Sequence, residues 1–108
     1  MMIDWEHVAE LREEVGEDSF SEVIELFLEE TDEAIAKLEA GLPDEEKESA
    51  LHFLKGCASN LGFVELSRQC QIGERLAIAK KFDEIDLTAA IGGYRSARAE
   101  LLARHPIG

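Results

Sequence analysis

The segment His52 to Phe63 reads HFLKGCASNLGF and sets a histidine, a lysine, a glycine and a serine at positions 52, 55, 56 and 59. At about 100° per residue of helix, Ala50, Leu54, Cys57 and Leu61 share one apolar stripe and His52 points directly away from it. Lys55, Gly56 and Ser59 gather around the histidine on the solvent face. A neutral imidazole is nucleophilic near pH 7. Gly56 costs about 1 kcal/mol relative to Ala in a helix interior and serves no turn there, which suggests that another surface comes close to the exposed His and Lys.

Other chemistries lack their residues. A carboxylate-bridged metal bundle needs Glu-x-x-His pairs on two helices, and the residues three before His7, His52 and His105 are Asp4, Ser49 and Leu102. Two cysteines, Cys57 and Cys70, make neither a disulfide framework nor a zinc ligand set, and read as small core residues. His7 and His105 read as surface residues near the chain ends.

The elements that must position His52 follow from periodicity. Asp4 is an N-cap for a short helix through Trp5, Val8, Leu11 and Val15 that Gly16 ends. Phe20, Val23, Ile24, Phe27, Leu28, Ala34, Ile35 and Leu38 mark one stripe of a long helix closed by Gly41. Pro43 in a first-turn position, with Asp44, Glu45 and Glu46 against the N-terminal dipole, opens a third helix running to about Gly62. A fourth spans about Val64 to Lys81, with Leu66, Cys70, Gly73, Leu76 and Ala77 inward. After a loop at Asp83 to Asp86, a fifth repeats Leu87, Ile91, Tyr94, Ala97 and Leu101. The expected fold is all-α: an antiparallel up-down four-helix bundle with a short extra N-terminal helix.

Length and charge bound the function. At 108 residues the chain is read as one domain, 1–108, with no room for a separate nucleotide-binding fold. With 45% hydrophobic residues it should fold despite a net charge of −13. Residues 4–48 hold 18 acids against Arg12, Lys37 and Lys47, whereas residues 55–81 are net basic through Lys55, Arg68, Arg75, Lys80 and Lys81. This balance argues against nucleic acid and anionic membrane as partners. No apolar run is long enough to span a bilayer, and acids stand where a signal peptide has basic residues, so a cytoplasmic location is expected.

The spacing His52, Lys55, Gly56, Ser59 and Gly62 resembles the active-site signature of histidine-containing phosphotransfer (HPt) domains, and the size and helix layout agree with it. The resemblance implies that His52 is the phosphoacceptor, taking a phosphoryl group from a receiver-domain aspartyl phosphate and giving it to another receiver aspartate. It implies that Lys55 neutralises phosphoryl oxygens, that Gly56 leaves clearance for the receiver, and that Ser59 either donates a hydrogen bond or stays small. Members often carry a Gln 22 residues after the histidine; here that position is Glu74, a carboxylate able to accept the Nδ1 proton and leave Nε2 as nucleophile. Lys55, Arg68 and Arg75 would steer docking of acidic receivers, and the acids of the first half would confer solubility and repel wrong partners. Response-regulator receivers and a hybrid histidine kinase are the implied partners, and the chain is expected to act as a monomer. No cofactor is expected on the chain itself, the magnesium coming from the receiver. His52 is followed by Phe53 and Leu54, unlike the acid of a histidine kinase's own phosphoacceptor motif. A non-catalytic acidic adaptor that binds a signalling partner without phosphorylation is the alternative reading.

Overall fold

The computed structural model describes residues 2–106. Its elements in order are α1 (Trp5–Val15), α2 (Glu17–Ala40), α3 (Asp44–Leu61), α4 (Val64–Ile78), a single 3-10 turn (Phe82–Glu84) and α5 (Leu87–Arg104). Among the described residues there is no strand, so the all-α expectation holds. No described helix is long and apolar enough to cross a membrane.

Each helix ends where local chemistry stops it. The Asp4 carboxylate accepts from the His7 backbone N–H at 3.2 Å and caps α1, and the Asp86 carboxylate does the same for α5 through Ala89. Gly62 closes α3 in the left-handed conformation at φ 72°, with the Phe63 N–H reaching back to the Ala58 carbonyl at 2.8 Å. Pro43 lies one residue earlier than its expected first-turn place and is the cap residue itself. The fourth helix stops at Ile78, short of Lys81, because Lys80 turns the chain at φ 60°.

Pairing follows a closed ring, α2 on α3, α3 on α4, α4 on α5 and α5 on α2, with α1 laid along α2. Ile24, Leu28, Thr31, Ile35 and Leu38 of α2 face Leu51, Leu54, Ala58 and Leu61 of α3 and Ala90, Tyr94, Ala97 and Leu101 of α5 in one core. The apolar stripe expected on α3 is rotated: Leu51 and Ala58 are buried and Ala50 is only half-buried. The cause is α4, which packs so tightly on α3 that a Cβ at Gly73 would lie 3.0 Å from Leu51 Cδ1. Leu76, expected inward, is half-buried. Both cysteines are buried, and burial pushes the Cys70 thiol up to about 12.

The terminal histidines depart from the expectation of plain surface residues. His7 is half-buried, and its Nε2–H donates to the Asn60 carbonyl at 3.0 Å while the Asp4 N–H donates to Gly62 O at 2.8 Å. The segment before α1 thus straps the C-terminal end of α3. His105 packs edge-on against Phe20, centroids 5.3 Å apart, and against Trp5 at 6.0 Å, and burial first, then Arg12 and Arg104, lowers its pKa. Neither role has a sequence signal, since both depend on which helix ends meet.

Candidate functional site

His52 stands midway along α3 with its side chain 68% exposed. Its Nδ1 lies 2.7 Å from Glu74 Oε2 on α4. The close approach of the two helices at Gly73, the residue before Glu74, brings that carboxylate within reach of the ring. The other oxygen, Oε1, accepts from Lys55 Nζ at 2.6 Å. One carboxylate therefore spans two partners on the neighbouring helix, and its own side chain is only 14% exposed.

The protonation of this cluster follows from its contacts. The hydrogen bond from Lys55, the largest influence, holds the Glu74 carboxyl below its ordinary value against the opposing effect of desolvation, and the His52 contact lowers it further. An ionised carboxylate only accepts, so the proton of the neutral ring sits on Nδ1 and Nε2 keeps its lone pair. No protein hydrogen bond reaches Nε2 among the described residues. The arrangement is an oriented nucleophile with a cation one turn along the helix.

The remaining sequence-selected residues fall in two groups. Gly56 lies on the same face, where a Cβ would meet nothing within 4 Å, so the space over it is open. Arg75 follows Glu74 on α4, exposed, with no ion pair among the described residues. Ser59 and Arg68 are set apart: they line a separate hollow with Gly62, Ser67 and Gln71. Seven residues separate Ser59 from His52, about 10 Å along the helix. The Arg68 guanidinium is clasped by Glu65, through Nε to Oε2 at 3.0 Å and a second, shorter bond, and lowers that carboxyl to about 2. Its charge is thus largely answered within its own helix.

Two features of the site lay outside the sequence reading. Lys55 and His52 share Glu74, whereas spacing alone suggested only the His52 contact. Phe53, beside His52 and off the core stripe, is 54% exposed. An aromatic one residue from the histidine and away from the buried face was the available signal. Among the described residues no group of three or more His, Cys, Asp or Glu side chains is placed to hold a metal ion.

Residues 22–103 match the family model of the Hpt domain. No curated protein and no solved structure was found to match the chain.

Proposed function

Since the chain belongs to the Hpt domain family, whose members serve phosphotransfer in two-component phosphorelays, we propose that His52 is its phosphoacceptor, taking a phosphoryl group from a receiver aspartyl phosphate and passing it to a second receiver aspartate. The observation that carries this reading is an exposed imidazole whose Nδ1 is held 2.7 Å from an ionised carboxylate while Nε2 faces solvent.

In the transfer, the Nε2 lone pair attacks phosphorus as the bond from phosphorus to the aspartyl oxygen breaks, and the electron pair leaves on the aspartate carboxylate. The Nδ1 proton stays on the ring, held against Glu74, so the positive charge that develops on the imidazole meets a counter-charge already in place. The same steps in reverse deliver the group to the next receiver. Lys55 exchanges Glu74 Oε1 for a phosphoryl oxygen as negative charge gathers beside it. Gly56 leaves room for the receiver's loops, and Arg75 draws its acidic pocket toward α4. Arg68, already answered by Glu65, and Ser59, a separate hollow away, contribute at the edge of the contact. Magnesium is supplied by the receiver.

The partners in this reading are receiver domains and a hybrid histidine kinase, met in the cytoplasm by a monomer. The ring of helix pairings supports an up-down antiparallel four-helix bundle, with α1 as an addition that straps the end of the phosphoacceptor helix.

The test is transfer from a receiver charged with radiolabelled phosphate and magnesium to the wild type and to His52→Ala. Acid-labile, alkali-stable label on the wild type alone is the expected result. Equal label on the variant overturns the assignment of His52. No label from any of several receivers brings forward the adaptor reading.

A further inference from the structure

Two glycines interrupt the helices that carry the reacting cluster, and their surroundings are opposite. A Cβ at Gly56 on α3 would meet nothing within 4 Å, whereas one at Gly73 on α4 would meet Leu51 Cδ1 at 3.0 Å, Ile85 Cγ2 at 3.4 Å and Leu51 Cδ2 at 3.5 Å. The phosphoacceptor reading gives Gly56 a use and leaves Gly73 without one. A glycine weakens a helix interior, so its place at 73 is answered by what packs into the space it leaves. Cys70, Gly73 and Ala77, all small and all buried, give α4 a low face, and the size of the side chains at a contact sets how near two helices lie.

This contact lies next to the reacting groups in both chains of residues. Leu51 precedes His52 on α3 and Gly73 precedes Glu74 on α4, so the interlocked pair neighbours the pair that shares the 2.7 Å contact from Nδ1 to Oε2. Leu51 is 1% exposed and has no solvent to swing into. A methyl group added at Gly73 is therefore relieved by α4 moving away from α3, and Glu74 moves with it. Lys55 reaches Oε1 of the same carboxylate from α3 at 2.6 Å, so both of its contacts lengthen together.

We propose that Gly73 is a positioning residue for phosphotransfer: by admitting Leu51 and Ile85 it seats α4 where Glu74 holds the Nδ1 proton of His52 and leaves Nε2 as the nucleophile. This rests on the phosphotransfer reading and adds a residue that touches neither the ring nor the phosphoryl group. Ile85 follows the 3-10 turn, so the link between α4 and α5 packs into the same gap and shares in setting the spacing.

The experiment compares wild type, Gly73→Ala, Leu51→Ala and the double variant Leu51→Ala, Gly73→Ala. Ring-nitrogen NMR shifts of neutral His52 report which nitrogen carries the proton. Labelling by phosphoramidate, with His52→Ala as the blank, reports reactivity: its phosphoryl group passes to Nε2 as the bond to nitrogen breaks and ammonia leaves. Thermal unfolding reports the fold. The wild type is expected to carry the proton on Nδ1. Gly73→Ala moves part of the population to the Nε2–H form and labels about fivefold more slowly while still folding. Leu51→Ala, whose cavity lowers Tm, keeps the Nδ1 proton and a labelling rate within about twofold of wild type. In the double variant the lost leucine makes room for the added methyl, and both the Nδ1–H form and the rate return. On a Glu74→Ala background Gly73→Ala slows labelling no further, because it acts only through that carboxylate.

Ring protonation unchanged in Gly73→Ala, or labelling that falls in step with Tm across the set, overturns the positioning role and leaves the phosphotransfer reading standing. A wild type that labels no faster than His52→Ala overturns the phosphoacceptor reading. Ring protonation, which needs no phosphoryl donor, then still decides whether Gly73 positions Glu74.

Discussion

Two carboxylates in this molecule make the same kind of bridge and do different work. On the α2–α5 side, Asp32 accepts from the Tyr94 hydroxyl and from Arg98 through Nε and a terminal nitrogen, each at 3.0 Å. On the α3–α4 side, Glu74 accepts from His52 and Lys55. Tyr94 is 2% exposed, and burial followed by Asp32 raises its pKa, so its hydroxyl stays protonated and its contact is spent inside the fold. The His52 ring projects into solvent with one nitrogen held and the other free. The difference is exposure of one partner: a bridge that ends on an enclosed hydroxyl fixes two helices, and a bridge that ends on an exposed imidazole aims a reactive atom.

The largest effect expected follows directly. His52→Ala abolishes phosphoryl acceptance while shifting stability by no more than about 0.5 kcal/mol, because an exposed side chain contributes little packing. Leu54→Ala or Leu61→Ala, both fully buried, costs about 2 to 5 kcal/mol. Thermal unfolding and transfer measured on the same preparations separate the two. A His52 variant that unfolds like the core variants removes the distinction between the two bridges.

Exchanging one atom in each bridge sharpens it. Glu74→Gln keeps an acceptor oxygen but discards the charge, and transfer is expected to slow by roughly fivefold to tenfold, the ratio of a charge-assisted to a neutral hydrogen bond. If Glu74→Gln changes neither the titration of His52 nor the transfer rate, the contact is idle. Tyr94→Phe is expected to cost about 1 kcal/mol in stability and leave transfer unchanged. The pH dependence has a definite sign. The Glu74 carboxyl is lowered from an ordinary 4.5, so its stabilising contribution is complete above that value and is lost as pH falls through the lower folded value. The difference in Tm between wild type and Glu74→Gln should therefore narrow below pH 4.5, with the Tyr94→Phe difference as the internal comparison.

How much of this was legible in the sequence follows from the range of each interaction. The helix ends at Gly16, Gly41 and Gly62 and the exposure of His52 are local, readable from periodicity and glycine placement. Glu74 was reachable through its offset of 22 residues, an offset suggested by resemblance and then seen as a contact. The sharing of Glu74 with Lys55 was not, because it requires knowing how far α4 leans over α3, which Gly73 and Leu51 decide together. The same holds for the rotated core stripe, since Ala50 and Leu51 differ by one step of the wheel and only packing chooses between them. His7 reaching Asn60 across 53 residues has no local trace at all.

The smallest effect concerns the floor beneath the site. Cys70 lies four residues before Glu74 on α4 and is fully buried, as is most of Cys57 on α3. If the α3–α4 seam is as closed below His52 as the α2–α5 side is around Tyr94, neither thiol reacts with a maleimide in the native protein at pH 8, and both react in denaturant. Burial lifts Cys70 from an ordinary 9.0 to about 12, so the folded state holds a proton that the unfolded chain releases. Stability from this group is therefore complete below pH 9.0 and falls as pH rises toward about 12. Native labelling as fast as that of the unfolded chain would show the seam opening under His52, and the two bridges would then differ in dynamics as well as in the exposure of Tyr94 and His52.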